Sequence, residues 1–395
     1  MTATNVRPEP VAGLFETTDS LAELRILATT TTELADYPLA ESVEQNVLIY
    51  AATAQLAATS AEGRRALQLE LAQALLEGPG IVVFRAAIAD RAILDRTSAL
   101  FESMIREQHA AGLATGDHFA KPGANDRIWG ALDKFALRDP ELFAEYYAND
   151  VVALAAEAWL GPNYQVVSQV NVVNPGGAAQ VAHRDYHLGF MSSEQSRAYP
   201  AHTHQLTPAL TLQGAIAHCD MPVVSGPTMY LPHSQKLADG YLAFHRPEVT
   251  QYFNENYVQL PLQAGDAVFF NPALFHGAGS NHSTNVKRMA NLLQISSAFG
   301  RAMETVNRPA MCRALLPILQ RMQSAGVEQR AIDNIVAATA EGYAFPTNLD
   351  RDRPINGLAP LTQAELLSQA VRDSWGSGRF SDALATHGRH RESGV

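Results

Sequence analysis

The chain has 395 residues, 47% of them hydrophobic, enough to bury a large core in one big domain or two smaller ones. A formal net charge of −11 and a pI near 5.6 argue against nucleic-acid binding, which usually needs a basic stripe, yet leave room for a local basic pocket. Two cysteines, Cys219 and Cys312, make no disulfide framework and suit a reducing cytosol. In chain order, the opening MTATNVRPEPVAGLF has neither a basic n-region nor a long apolar h-region, so no secretory signal is read. No apolar run approaches the ~20 residues of a bilayer span. The expectation is a cytoplasmic protein with no membrane and no nucleic-acid partner. Residues 1–64, rich in Ala, Thr and Glu, predict helices with loose ends. From Ala66, Leu67, Leu71 and Leu75 recur at i, i+4 and i+8, a helix stopped by Gly78-Pro79-Gly80. Ile81-Val82-Val83-Phe84 reads as a strand, and Asp90 caps a helix bearing Ile93, Leu94, Phe101, Met104 and Ile105. Residues 111–130, with four glycines among polar and aromatic residues, read as a mobile loop or lid. Asp139-Pro140-Glu141 opens a helix with Asp as N-cap and Pro at its first position; the pattern breaks near Asn149 and ends at Gly161-Pro162.

The centre changes character. Segments 164–173, 209–218, 227–231, 257–261 and 266–270 are short and apolar or alternating, and Gly, Pro, Asn or Ser separates them, as in an antiparallel sandwich or barrel. After about residue 305 the helical period returns with Leu315, Leu316, Leu319 and Met322, and Thr362 with Glu365 has capping-box spacing. The fold class is therefore α+β, helices flanking one β core.

Within that core an ordered set stands out: His183, Asp185 and His276, then Arg288. Two imidazoles and one carboxylate on one face of an octahedron leave the opposite positions open, the facial triad of non-haem Fe(II) oxygenases. An arginine just beyond the distal histidine can hold a cosubstrate carboxylate through two parallel charge-assisted bonds. Thirteen histidines make an H-x-D triplet weak evidence alone, since about one is expected by chance. There are two, His183-Arg184-Asp185 and His218-Cys219-Asp220. In a strand, i and i+2 share a face, so either pair can chelate. A barrel needs several strands between the first pair and the distal histidine. The segments 209–218, 227–231, 257–261 and 266–270 all fit after Asp185, whereas the first is lost after Asp220. His218 moreover ends the long apolar run LTLQGAIAHCD and reads as a half-buried strand-end histidine. His276 follows a turn and strand, Gly265 to Pro272, and small residues after it allow close approach to a metal. Lys287 and Arg288 should point to opposite faces of the strand MANLLQISS that follows them.

Five stretches in order now resemble the phytanoyl-CoA dioxygenase family of Fe(II)/2-oxoglutarate-dependent oxygenases: LLEGPGIVVFRAAI, QVAHRDYHLGF, SGPTMYLPHSQK, LQAGDAVFFNPALFHGAG and NVKRMANLLQISS. The resemblance spans about residues 66–300. It departs at 232–234, where PHS replaces a Pro-Gly-Ser-His-like turn, and in the long segment from Met191 to Pro208. It implies a double-stranded β-helix, a jelly-roll or cupin-like barrel flanked by helices, with an N-terminal extension (1–64), an oxygenase core (65–305) and a C-terminal helical extension (306–395). It implies Fe(II) on His183, Asp185 and His276, and 2-oxoglutarate gripped by Arg288 with Gln180 nearby. O2 is the oxidant, and ascorbate supports such enzymes in vitro. Succinate and CO2 would form as a C–H bond of a small molecule is oxidised. Related halogenases replace the carboxylate by a small residue; Asp185 is present, so hydroxylation or a related oxidation is expected. Candidate substrate residues are Tyr186, His187, His202 and His204 beside the ligands, and Lys121 and Arg127 in the lid segment. Three other readings stay open: a cupin-type metal enzyme that does not use 2-oxoglutarate, a non-catalytic jelly-roll binding module, and a zinc hydrolase.

Overall fold

The computed structural model describes residues 20–113, 123–354 and 357–393. Helix α1 (Ser20–Ala28) leads into a hairpin of β1 (Ser42–Glu44) and β2 (Val47–Tyr50). A short α2 (Ala52–Ala57) and α3 (Ala61–Leu76) precede β3 (Ile81–Phe84). Then come α4 (Arg91–Ala110), β4 (Asn125–Ile128), α5 (Ala131–Arg138), α6 (Pro140–Tyr147), α7 (Asp150–Leu160) and β5 (Gln165–Val173). The centre holds α8 (Ser193–Arg197), α9 (Ala201–Leu206), β6 (Thr211–Ala217), β7 (Met229–Leu231), α10 (Gly240–Ala243), α11 (Pro247–Asn256), β8 (Ala267–Phe270), β9 (Phe275–Gly277) and β10 (Arg288–Ser296). Four helices close the chain: α12 (Arg308–Ser324), α13 (Gln329–Thr339), α14 (Gln363–Arg372) and α15 (Ser377–Arg391).

Eight strands form one sheet in the order β1-β2-β3-β8-β6-β10-β5-β4, antiparallel throughout except for β2 beside β3. A second sheet pairs β7 with β9 and is extended by bridges from Tyr230 to Val258 and from His276 to His183. Because side chains alternate across a strand, the large sheet has two different faces. Its outer face carries Phe84, Val170, Leu212, Ile216, Phe269 and Leu293, and helices bury these into the main core. The C-terminal helices α12 and α13 lie with α5, α6 and α7 on that side. The inner face carries Val83, Asn171, Gln213, Val268, Leu292 and Gln294, which line a cavity instead.

Local signals explain the elements. Asp90 accepts from the amides of Ala92 and Ile93 at the head of α4, Asp139 from Leu142 before Pro140, and Asn149 from Val151 and Val152. Thr362 and Glu365 close a capping box on α14.

Three expectations need correction. Residues 1–64 are not only helical: Gln45 and Asn46, both with positive φ, turn a two-residue hairpin, and the buried run Val47–Tyr50 joins the large sheet. Segment 257–261 is not a strand; it makes one bridge at Val258, and Pro261 offers no N–H to continue a ladder. The segment 111–130 is not all loop, because Asn125–Ile128 forms the edge strand β4 on β5, while residues 114–122 lie outside the described residues. Among the described residues no helix is long and apolar enough to cross a membrane.

Candidate metal centre

His276 sits at the middle of β9, and its backbone exchanges hydrogen bonds with His183 in both directions, 2.9 and 3.1 Å. This two-way bond fixes the two rings 4.5 Å apart. After His183 the chain leaves the ladder. The Asp185 amide donates to the Pro272 carbonyl (3.1 Å), and the Tyr241 hydroxyl donates to the Asp185 carbonyl (3.2 Å). Between the two ligand candidates Arg184 turns into the protein and is fully buried. Its Nη2 donates to the carbonyls of Ser234 (2.6 Å) and Leu237 (3.1 Å), and its guanidinium faces the rings of Phe275 and Tyr241. A Cβ at Gly240 would stand 1.9 Å from Arg184 Cζ, so the loop closes over that arginine only because position 240 has no side chain.

His183 Nδ1 lies 2.8 Å from the Val181 carbonyl and His276 Nδ1 2.9 Å from that of Leu274. Each Nδ1 must therefore carry the proton, leaving the Nε2 lone pair available to a metal. The Nε2 atoms lie 3.6 and 3.4 Å from the Asp185 carboxylate oxygens, and one donor atom from each residue lies within 4.8 Å of the others. Gln213 Nε2 donates to Asp185 Oδ2. Burial alone would raise the Asp185 carboxyl, but His183, His276 and the Gln213 amide overturn this and hold it below the usual carboxylate range. An ionised carboxylate and two imidazoles with inward Nε2 atoms form a donor set that fits a divalent first-row metal.

The triad opens on a cavity of about 990 Å³ enclosed by the inner face of the large sheet and by the small sheet. Arg288 lines it, 7% exposed, while Lys287 faces solvent, the opposite-face arrangement expected. Arg288 Nη1 donates to the carbonyls of Ser225 (3.0 Å) and Gly279 (3.2 Å), which aims the fork. Burial lowers its pKa to about 10, so it stays charged at neutral pH. Gln180 also lines the cavity; its Oε1 accepts from the Ala278 amide at 3.1 Å.

The other candidates divide. Arg127 lies on the cavity wall, on β4. Lys121 lies outside the described residues. Tyr186, His187, His202 and His204 are not on the wall: His187 Nδ1 bonds to Thr207 Oγ1 (2.7 Å), His204 Nε2 bonds to the Ser196 carbonyl (3.0 Å), and His202 is exposed on α9. Tyr186 is buried at φ 64, its ring against those of His187 and Phe190. The rival pair separates completely. His218 is not half-buried but buried on the outer face of the sheet, between Ser98 Oγ (2.9 Å) and Tyr146 Oη (3.0 Å). Arg184, Gln213, Asn171, Gln294 and Trp129 escaped the reading of the sequence. For Gln213, Asn171 and Gln294 the signal was a polar residue at an inward position of an otherwise apolar strand, which is rarely incidental; Arg184 and Trp129 lie outside the strands and carried no such signal.

The phytanoyl-CoA dioxygenase family model matches residues 51–290, and the chain belongs to that family. Membership brings Fe(II) and 2-oxoglutarate as the cofactors, to donors that fit them. A comparison with curated proteins gives no match. Solved structures to which the chain is similar include these three. The first is the non-heme alpha ketoglutarate dependent epimerase SnoN from nogalamycin biosynthesis (20% identity, 58% of this chain, 81% of that one, TM-score 0.41). The second is the carbocyclase SnoK from the same biosynthesis (21%, 57%, 83%, 0.42). The third is AviO1 from Streptomyces viridochromogenes Tue57 (18%, 59%, 97%, 0.44).

Proposed function

We propose that the chain is an Fe(II)/2-oxoglutarate-dependent dioxygenase that oxidises a C–H bond of a small molecule, by hydroxylation or a related outcome, yielding succinate and CO2. One observation carries this reading: three convergent metal donors and a buried arginine share one cavity, within and just short of the end of the family-matched segment. His183, Asp185 and His276 would hold the metal, and Arg288 the distal carboxylate of 2-oxoglutarate, with Gln180 beside it. Bound iron with its cosubstrate supplies the O2 activation that no side chain can perform. The protein's own part is orientation. Val181 and Leu274 fix the imidazole tautomers, Gln213 turns the Asp185 carboxylate, and the carbonyls of Ser225 and Gly279 hold Arg288. The enclosing walls exclude water from the reacting atoms.

The same reading takes the large sheet and the bridged β7–β9 pair, which meet across the cavity, as the two sheets of a double-stranded β-helix. It takes residues 1–64, 65–305 and 306–395 as parts of one packed unit, supported by β1 and β2 in the sheet and by α12 on α5 and α6.

The test is anaerobic. Fe(II) followed by 2-oxoglutarate should give the weak visible charge-transfer band of the chelate, and Arg288→Ala should weaken 2-oxoglutarate binding by about 100-fold, the loss of a desolvated bidentate charge pair. A folded, iron-loaded protein without the band sinks the 2-oxoglutarate reading and promotes a cupin-type enzyme.

A further inference from the structure

Directly after Asp185 the backbone is strained. Tyr186 stands at φ 64 and ψ 141, close to a conformation that only glycine adopts freely, and His187 follows at φ 43. A Cβ at Gly189 would stand 2.1 Å from the Arg184 carbonyl, so this turn folds back onto the residue between the two ligand candidates. Two consecutive positive-φ residues that are not glycine persist only where their surroundings over-determine them.

Arg184 is the residue placed to do so. It neighbours both His183 and Asp185, yet it is fully buried and takes no part in the cavity wall. The two carbonyls it holds belong to one stretch, Ser234 to Tyr241, a 3-10 turn leading into α10. That stretch reaches both arms of the triad. Ser234 Oγ accepts from the Phe275 amide (2.8 Å), one residue before His276, and the Tyr241 hydroxyl donates to the Asp185 carbonyl. The guanidinium lies 4.8 Å from the Phe275 ring centroid and 5.1 Å from that of Tyr241, so one side chain ties the two arms together. Helix α1 supports the same stretch: Asp239, buried within it, favours the charge of Arg184, and Ser20 Oγ donates to the Asp239 carboxylate.

Stability alone is a poor account of this cation. Moving a guanidinium from water into the interior is costly, and an apolar side chain of similar volume is often no worse. What the guanidinium adds is direction. Its planar fork fixes the angle of the backbone that carries it, which an apolar chain cannot do.

We propose that Arg184 is a positioning residue of the metal centre: locked on the stretch from Ser234 to Tyr241, it holds the strained backbone on either side so that the donors of His183 and Asp185 meet that of His276. The proposal rests on the reading of these three residues as metal ligands. Arg184 itself touches neither metal nor substrate and acts through its two neighbours.

The experiment uses the full chain, freed of metal with a chelator and titrated with Co(II), whose visible absorption reports the arrangement of its ligands. Arg184→Met keeps the length of the side chain and loses its donors. Co(II) affinity should fall about tenfold to 100-fold, and the band at saturation should change shape as Asp185 leaves its place. Arg184→Lys, which keeps the charge and loses the fork, should fall between. Tyr241→Phe, which removes only the hydroxyl on the Asp185 carbonyl, should weaken Co(II) about threefold to tenfold. His218→Ala is the control for lost stability, because His218 is buried away from the cavity. It should unfold at lower urea, as Arg184→Met does, yet bind Co(II) within about twofold of wild type and with the wild-type band. Arg184→Met binding Co(II) as wild type does, with the same band, would overturn the proposal. So would an equal loss of affinity in His218→Ala at a similar loss of stability, since any destabilised core would then do the same. Should Arg184→Met not fold, Arg184→Lys and Tyr241→Phe decide, and wild-type affinity and band in both would overturn it. If the wild type binds no Co(II), the metal reading falls first and this inference falls with it.

Discussion

The chain holds two H-x-D triplets, and the protein uses them in opposite ways. His183 and Asp185 straddle a point where the chain leaves a bridge: the histidine is held by His276 and the aspartate by Pro272 and Tyr241, so both side chains reach one cavity. His218 and Asp220 follow directly after β6, whose residues Gln213 and Ala215 face the cavity while Leu212 and Ile216 face the helices. An even residue number puts His218 with the second set, among Phe101, Tyr146 and Ser98. Asp220 goes to the surface, where it accepts from the Ala264 amide at 2.9 Å. The same three-residue pattern supplies two donors of the proposed metal site in one place and a core packing element in the other, where the parity of β6 turns His218 toward the helices.

The largest expected effect breaks the first triplet. Asp185→Ala removes the only carboxylate on the described cavity wall and should lower iron retention by about 100-fold or more, abolishing 2-oxoglutarate turnover with little change in melting temperature. Iron content after desalting, beside a thermal melt, checks it. His218→Ala should do the reverse. It empties a buried space and strips a partner from Ser98 and Tyr146, so it should cost about 2–4 kcal/mol in urea unfolding while iron binding persists. A His218 variant that lost iron at unchanged stability would reverse the assignment of the two pairs.

How much of this was legible beforehand follows the range of the interactions. The triad, Arg288 and the caps at Asp90, Asp139 and Asn149 rest on residue type and short spacing, and they could be read. The polar half of the cavity could not, because Arg127, Asn171, Gln294 and Gln213 come from four strands, and only the pairing register brings them together. Arg184 is a second such case. Beside a histidine and an aspartate it looks like an exposed cation, but what buries it is Gly240 and the carbonyls of Ser234 and Leu237, some fifty residues away. His187, His202 and His204 were attractive for proximity in sequence, yet the 3-10 turn at His187–Phe190 and helices α8 and α9 carry them off the wall.

Acid sharpens the comparison further. Burial lowers the His218 imidazole to about 3. The unfolded chain takes up this proton near 6.5, and the folded protein only near 3, so between these values the unfolded state binds more protons. Stability should therefore fall as pH drops below about 6.5, by up to about 1.4 kcal/mol per pH unit from this group. Urea unfolding at pH 7, 6 and 5 measures the slope, and the difference between wild type and His218→Gln isolates the histidine's share.

The smallest effect concerns the other end of the second triplet. Asp220 sits two residues beyond His218, as Asp185 sits two beyond His183, but its carboxylate meets only a backbone amide near solvent. Asp220→Ala exposes that amide to water, which replaces the bond, so the loss should be under about 1 kcal/mol and iron binding should not change. A chemical melt with parallel iron analysis separates the outcomes. If Asp220→Ala instead lost iron while Asp185→Ala kept it, β6 would have to be shifted by one residue. Such a shift would carry Gln213 from the triad into the helices and turn Leu212 and Ile216 into the cavity, against the burial of both.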